Sequence, residues 1–236
     1  MHKSVIKAVT MLVFGLMSAQ FLFAQIKADE YPKLINDDQS ARLDAFAALL
    51  REQDKSKGLI FTYKQEREPL GRFLRHLYGV KLYLSRSQNI NPDRLVLLTG
   101  EAKERKTELW IISEGKSLPT LKSISIEKEL SRKIRKTTVF DTHCMDCDPV
   151  VFLDLPVFKE GLEFYSAALK ANPGSTALII IGETASQKER SKVSREIFKG
   201  LEDNQIDKNR IEIRFNKKSS FTNFYVVPKI SKRKTK

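Results

Sequence analysis

The sequence predicts a mixed α/β fold (α+β) made of two similar units in tandem. The evidence is a repeated pattern, NPDRLVL around Arg94 and DKNRIEI around Arg210, in which polar residues close a helix and open an apolar strand. At the spacing that aligns the two arginines, residues 108–112 fall on 224–228, so both units are predicted to end in a strand. Two equivalent small domains are the simplest explanation of such a duplication.

The first unit is predicted to run β-α-β-α-β-β. Apolar residues at spacings of three and four mark two amphipathic helices, one over residues 40–52 and one with a buried face from Phe73 to Leu84. The apolar run 59–63 is rich in β-branched and aromatic residues, as expected of a buried strand. The other strands are predicted at residues 29–36, 94–99 and 107–113.

The second unit repeats this order from near Thr137. Residues 150–153 are its predicted first strand, and Asp154 and Pro156 suit the cap and first turn of the helix that follows. The run 177–181 is typical of a central strand covered on both faces. The remaining elements are a helix with its apolar stripe at Val193, Ile197 and Leu201, and a hairpin of residues 210–215 and 221–227. The helices of each unit are expected to bury one face of a mixed sheet.

The N-terminus has the three parts of a secretory signal peptide. Lysines supply positive charge at the start, residues 8–23 are apolar, and Ala19 and Ala24 are the small residues expected near a cleavage site. We therefore assign residues 1–24 as a signal peptide and expect a periplasmic or secreted protein. The apolar run is shorter than the ~20 residues of a spanning helix, so no stable membrane span is expected after removal; retention as an anchor is the alternative.

The rest of the chain is long enough for two small cores. The predicted organisation is a first domain at residues 25–115, a basic linker at 116–136, a second domain at 137–228 and a basic tail at 229–236. With 42 Lys and Arg against 29 Asp and Glu, the net charge is +13. This charge favours attraction to an anionic envelope polymer or to an envelope protein, and no specific nucleic-acid recognition is expected. A solvated linker and tail are the plainer interpretation.

The residues also suggest a family. The element order, the closing turn IDKNRI at residues 206–211 and the strand IIGET at 180–184 resemble the OmpA-like C-terminal domain of bacterial envelope proteins. The resemblance covers residues 37–113 and, again, 154–228. The segment DDQSARLDAFA at 37–47 is similar to one in small exported OmpA-like proteins, which are mostly of unassigned function. The resemblance implies the fold of both units and makes peptidoglycan a possible partner.

In the peptidoglycan-binding members of that family, an Asp after the central strand and an Arg on the next helix hold the diamino acid of the peptide stem. Binding this ligand requires protein groups of both charges: a carboxylate for its ammonium group and a forked guanidinium for its carboxylate. This chain departs from the pattern, with Ala185 and Val193 at those places in the second unit and His76 at the arginine position in the first. The candidate residues of a rearranged binding site are Arg72, Arg75 and His76.

The two cysteines, Cys144 and Cys147, form the pattern HCMDCD. In an oxidising compartment a local disulfide is the plain expectation. A thiol-disulfide oxidoreductase would place the first cysteine at a helix N-terminus, and the residues that follow favour a strand instead. A metal site using His143 with both thiolates would lack a fourth ligand nearby.

No set of residues has the spacing of a known catalytic site, so we expect no enzyme, no cofactor and no metal. The sequence predicts a non-enzymatic cell-envelope scaffold or interaction protein with degenerate OmpA-like domains. One alternative is a peptidoglycan-binding protein that uses the rearranged site. The other is a small thiol-disulfide redox protein that acts through the cysteine pair.

Overall fold

The computed structural model describes residues 25–34, 36–144, 155–182 and 187–229. Within these ranges the chain forms two four-stranded mixed sheets and five helices, arranged as two similar repeats. The predicted α/β fold class with two tandem units is therefore confirmed. Among the described residues, no helix is both long and apolar enough to cross a bilayer.

The first repeat follows the predicted order of elements. These are β1 (Gln25–Pro32), α1 (Asn36–Glu52), β2 (Lys57–Gln65), α2 (Leu70–Leu82), β3 (Leu95–Ala102) and β4 (Lys106–Ile112). A π-helical turn, Tyr83–Ser87, extends α2. The sheet order is β1-β4-β2-β3, with β2 parallel to β3 and antiparallel to β4. The first strand starts earlier than residues 29–36, where it was predicted.

A short helix, α3 (Ile126–Leu130), lies between the repeats. The second repeat consists of β5 (Thr138–Cys144), α4 (Leu155–Ala171), β6 (Ser175–Gly182), α5 (Gln187–Asp203), β7 (Ile211–Asn216) and β8 (Phe221–Pro228). Its sheet order, β5-β8-β6-β7, matches that of the first repeat. The strand that opens this repeat is β5, which corrects the prediction for residues 150–153, a segment outside the described residues.

Arg94 and Arg210 perform the same structural task, which explains the repeated motif. Each guanidinium donates hydrogen bonds to three carbonyl oxygens at the end of its repeat's first helix and the start of the following strand. The acceptors of Arg94 are Leu50, Gln53 and Ser56, and those of Arg210 are Leu169, Asn172 and Ser175. The last carbonyls of a helix have no partner within the helix, so each arginine caps one helix and ties it to the next strand.

Strand pairing defines which residues of the two repeats are equivalent. Leu59 pairs with Trp110, and Leu178 pairs with Tyr225. Leu59 and Leu178 are equivalent because their parallel neighbours in β3 and β7 are aligned by the repeated motif. Trp110 therefore corresponds to Tyr225, and the predicted alignment of the last strands is wrong by one residue. The connection from β7 to β8 is one residue shorter than its counterpart.

The two apolar cores meet at the boundary between the repeats. Each lies between a sheet and the helices on one of its faces, and Leu70, Leu130 and Phe164 pack against both. Residues of the predicted linker take part as well, because Leu121 covers apolar side chains on the other face of the first sheet and Ile124 pairs with Thr99 in β3. The cores are thus continuous through shared side chains.

Candidate functional site

The three predicted site residues lie on α2, but their side chains differ in exposure and in the residues they contact. Arg72 is exposed, whereas Arg75 and His76 are half-buried. Arg75 points across the boundary to the second repeat, and Arg72 and His76 interact with Lys33. The hydrogen bonds of Arg75 are therefore directed away from Arg72 and His76, although its charge still acts on His76.

Arg75 makes a two-pronged ion pair with Asp141 on β5. Its Nε and Nη2 donate to Oδ2 and Oδ1 at 3.1 and 3.0 Å, and Nη2 also donates to the carbonyl oxygen of Thr142 at 3.2 Å. Asp141 is buried, with 5% of its side chain exposed, and the half-buried Arg75 exposes only 12% of its side chain. This fork-to-carboxylate geometry is the strong form of the arginine ion pair.

Asp141 is held by more than Arg75. The Nε2 of His143 lies 3.1 Å from its Oδ2, and the backbone N–H of Thr142 donates to its Oδ1 at 2.7 Å. Burial alone would raise the pKa of Asp141, but the charges and hydrogen bonds of His143 and Arg75 outweigh it and lower the pKa to about 2. Asp141 is consequently a carboxylate at any physiological pH.

The rest of α2 also fits closely against β5 and α4. Gly71 lies so near Phe140 and Asp141 that a Cβ there would come within 2.8 Å of both. One turn further along, Gly161 faces Arg75, and Tyr78 makes an edge contact with Phe164. Tyr78 also lies beside Glu160, whose charge, after burial, raises the pKa of Tyr78. We call the surface of β5 and α4 that receives α2 the inter-repeat interface.

A group of cations surrounds the exposed side of α2. Arg105 forms a buried ion pair with Glu68, just before the helix begins. The charge of Arg72 is the largest cause that lowers the pKa of Lys33, followed by burial and then by Arg105. Among the described residues neither Lys33 nor Arg72 forms an ion pair. Glu68 is paired with Arg105, and among the described residues the repulsion between Lys33 and Arg72 is not offset by an ion pair of their own.

His76 completes this group as a neutral side chain. Burial is the largest cause that lowers its pKa, and the charges of Lys33, Arg75 and Arg72 lower it further, to about 4. At neutral pH the imidazole therefore has one donor and one acceptor nitrogen. We call Lys33, Arg72, His76 and Arg105 the cation cluster; the sequence identified two of them, and the other two were missed because they lie on connections far away in the chain.

A groove of about 530 Å³ lies elsewhere on the first repeat, between β1 and α1. Asp29 and Arg42 line it and pair with each other, with Arg42 Nη1 at 2.7 and 2.9 Å from the carboxylate oxygens. Its other lining residues are Ala28, Leu34, Asp38, Ala41, Ala45, Phe46 and Leu49. We call this the first-repeat groove. Its acid and guanidinium come from elements other than the β2 end and α2, where the family resemblance places them.

The cysteine prediction falls outside the described part of the molecule. Cys144 ends β5, and neither its side chain nor Cys147 is described. The neighbouring His143 is buried and bonded to Asp141. Within the described ranges no group of three or more potential ligands could hold a metal ion.

No family model matches the chain, and no curated protein matches it significantly. The fold and the interface define it, in structural terms, as a tandem-repeat α/β protein whose repeats are joined by a buried ion pair.

Proposed function

We propose that this chain is a non-enzymatic interaction protein of the bacterial cell envelope in which two degenerate repeats act as one rigid body. Its contacts with the envelope are made by surface charge and exposed faces, and not by a peptide-stem site built on Arg75. The ion pair between Arg75 and Asp141 is the observation that carries this proposal.

The argument from the ion pair is energetic. Removing one partner of a buried pair typically costs about 3–5 kcal/mol, because the other charge is left buried and uncompensated. A ligand carboxylate would have to displace Asp141 from Arg75 and meet that cost. Arg75 is thus committed to holding the repeats together and is not available for bidentate binding of a stem-peptide carboxylate.

The exposed cations between the repeats support attraction to an anionic polymer. The segment is anchored by the pairing of Ile124 with Thr99, so its charges project from a fixed surface. The exposed members are Lys116, Lys122, Lys128, Arg132, Lys133, Arg135 and Lys136. Clustered like charges raise the local concentration of a polyanion and speed its association.

Retention on purified peptidoglycan sacculi at two salt concentrations tests the proposal. We expect binding at low salt that is largely lost at ~0.5 M salt, where the screening length is only a few ångströms. Replacing Lys122, Lys133 and Lys136 with Gln should weaken low-salt retention more than the same change at Lys55, Lys208 and Lys217. Retention that survives high salt and requires Arg72 would overturn the proposal.

The cation cluster favours a second candidate, a peptidoglycan-binding protein with a rearranged site. Here Lys33, Arg72 and His76 would bind a stem carboxylate, because an anion would relieve the repulsion between the two cations. Calorimetry with a soluble stem peptide that contains the diamino acid tests this candidate. It predicts saturable binding that Arg72→Ala removes and that Arg67→Ala, a change at a nearby exposed arginine, leaves intact. No heat of binding from the unmodified protein would exclude it.

A further inference from the structure

Asp29 in the first-repeat groove is the structural equivalent of Asp141. Lys27 pairs with Trp110, and Val139 pairs with Tyr225, which is the equivalent of Trp110. A bulge follows at once in both strands, and the next paired residues are the two aspartates. Ala28 and Phe140 are the equivalent bulge residues.

The helices α1 and α4 correspond in the same way. The carbonyls bound by Arg94 and Arg210 align Leu50 with Leu169. Counting back along each helix aligns Arg42 with Gly161 and Ala45 with Phe164. Ala41 likewise corresponds to Glu160.

The first-repeat groove is therefore the counterpart of the inter-repeat interface. In the second repeat the equivalent residues hold α2, through the packing of Gly71 on Phe140, the ion pair of Arg75 and the contacts of Tyr78 with Glu160 and Phe164. In the first repeat they line an open groove beside the exposed side chains of Ala41, Ala45 and Leu49. Among the described residues, a helix occupies this site in the second repeat and no segment of the chain occupies it in the first.

We propose that the first-repeat groove receives α5 from a second copy of this chain, as the inter-repeat interface receives α2. Helix α5 is the equivalent of α2, because each helix follows the second strand of its repeat. Near the helix ends the carbonyl oxygens of Leu84 and Leu201 accept from Ile90, six residues on, and from Ile206, five residues on, which aligns the two leucines. Within a chain, the second helix of one repeat enters the following repeat. If the same arrangement continues past the second repeat, α5, the second helix of that repeat, packs on the first repeat of another molecule.

The charges of the two surfaces are complementary. Lys192 stands at the place of Arg75 on α5; it is exposed and lies 3.9 Å from the carboxylate of Glu196, and Arg195 and Lys199 further along the helix are exposed as well. The groove is lined by two acids, Asp29 and Asp38, and by one cation, Arg42, which pairs with Asp29. A cation from α5 can therefore approach the aspartate that is equivalent to Asp141.

The sizes of the facing residues are complementary as well. The inter-repeat interface sets the small Gly71 against the large Phe140, and Tyr78 against Phe164. In the groove Ala28 and Ala45 replace the two phenylalanines, which leaves room for the long side chains of α5. Until a helix docks, Arg42 forms an ion pair with Asp29 and neutralises the charge of the Asp29 carboxylate.

This contact is head to tail, since the groove and α5 are different surfaces of the chain. Such contacts build closed rings or open chains, and they depend on protein concentration. Self-association of this kind is separate from envelope binding, so either property can fail without the other.

Sedimentation velocity of the purified protein over about 1 to 300 µM tests the proposal. Association should increase with concentration in the unmodified chain. Ala45→Arg, which fills the groove, and Lys192→Glu, which reverses the charge on α5, should each weaken it at least about tenfold. The matched controls Ala48→Arg, on the same helix outside the groove, and Lys208→Glu, outside α5, should leave it unchanged.

Mixing the two defective variants gives the sharpest test. The Ala45→Arg chain keeps a normal α5 and the Lys192→Glu chain keeps a normal groove, so the mixture should form dimers with one chain of each kind and nothing larger. A protein that stays monomeric at every concentration, controls that are as defective as the test variants, or a mixture that fails to pair would overturn the proposal.

Discussion

Asp29 and Asp141 hold equivalent places in the two repeats, but their arginine partners come from different parts of the chain. Arg42 reaches Asp29 from the helix that follows it in the same repeat, whereas Arg75 reaches Asp141 from the preceding repeat. The first pair is 44% and 27% exposed, and the second 12% and 5%. The exposed pair is screened by water, while the buried pair joins two repeats.

This difference predicts unequal effects of removing the two arginines. Arg75→Ala should lower the free energy of unfolding by about 3–5 kcal/mol, because the buried Asp141 loses the guanidinium that binds both of its oxygens. Arg42→Ala should cost less than about 1 kcal/mol, as is usual for an exposed pair. Urea denaturation at pH 7 measures both. Equal costs for the two variants would contradict the structural role of the Arg75 pair.

Two glycines of α2 allow a second matched comparison. A Cβ at Gly71 would lie 2.6 Å from a ring carbon of Phe140, whereas a Cβ at Gly79 would meet nothing within 4 Å. Gly71→Ala should therefore destabilise the protein by about 1–3 kcal/mol through overpacking. Gly79→Ala should stabilise it by about 0.5–1 kcal/mol, since alanine is the better helix former. Thermal unfolding of both variants is the check, and a harmless Gly71→Ala would mean that α2 is not seated on β5.

The local patterns of the sequence predicted much of the fold. Apolar residues at helical spacing placed α1, α2 and α5, and the motif around Arg94 and Arg210 identified the repeat. These features depend on neighbours within a few turns, so one sequence is enough to reveal them. The role of the two arginines as caps of distant carbonyls was not predicted, because nothing local indicates those acceptors.

Strand β5 and the partner of Arg75 were missed for one physical reason. β5 buries Asp141 and His143, so its sequence lacks the apolar alternation that marks a half-buried strand. The apolar residues 150–153 resembled a strand more closely. Because Arg75 and Asp141 belong to different repeats, their ion pair follows from the packing of those repeats and could not be predicted from either segment alone.

The shared side chains predict that the two repeats unfold together. Arg94→Met and Arg210→Met each remove the cap of three carbonyls in one repeat and should cost about 2–3 kcal/mol. Since Leu70, Leu130 and Phe164 belong to both cores, either change should shift one common transition. Denaturation followed by far-ultraviolet circular dichroism and by Trp110 fluorescence provides the two probes. Separate midpoints, with only the altered repeat affected, would show that the repeats are independent.

His76 predicts a loss of stability between neutral and mildly acidic pH. An unfolded histidine has a pKa near 6.5, while burial and the charges of Lys33, Arg75 and Arg72 lower that of His76 to about 4. The unfolded chain therefore binds more protons between these values, and stability falls as the pH is lowered from 6.5 to 4, by at most about 3 kcal/mol. The lowered pKa of Asp141 costs stability mainly below about pH 5, where an unfolded carboxyl with its ordinary pKa of 3.8 starts to bind protons, so it contributes little between pH 7 and pH 5. His76→Gln, which stays neutral throughout, should lose less stability than the unmodified protein when urea denaturation at pH 7 is compared with pH 5. An identical loss in both proteins would assign the acid sensitivity to other groups.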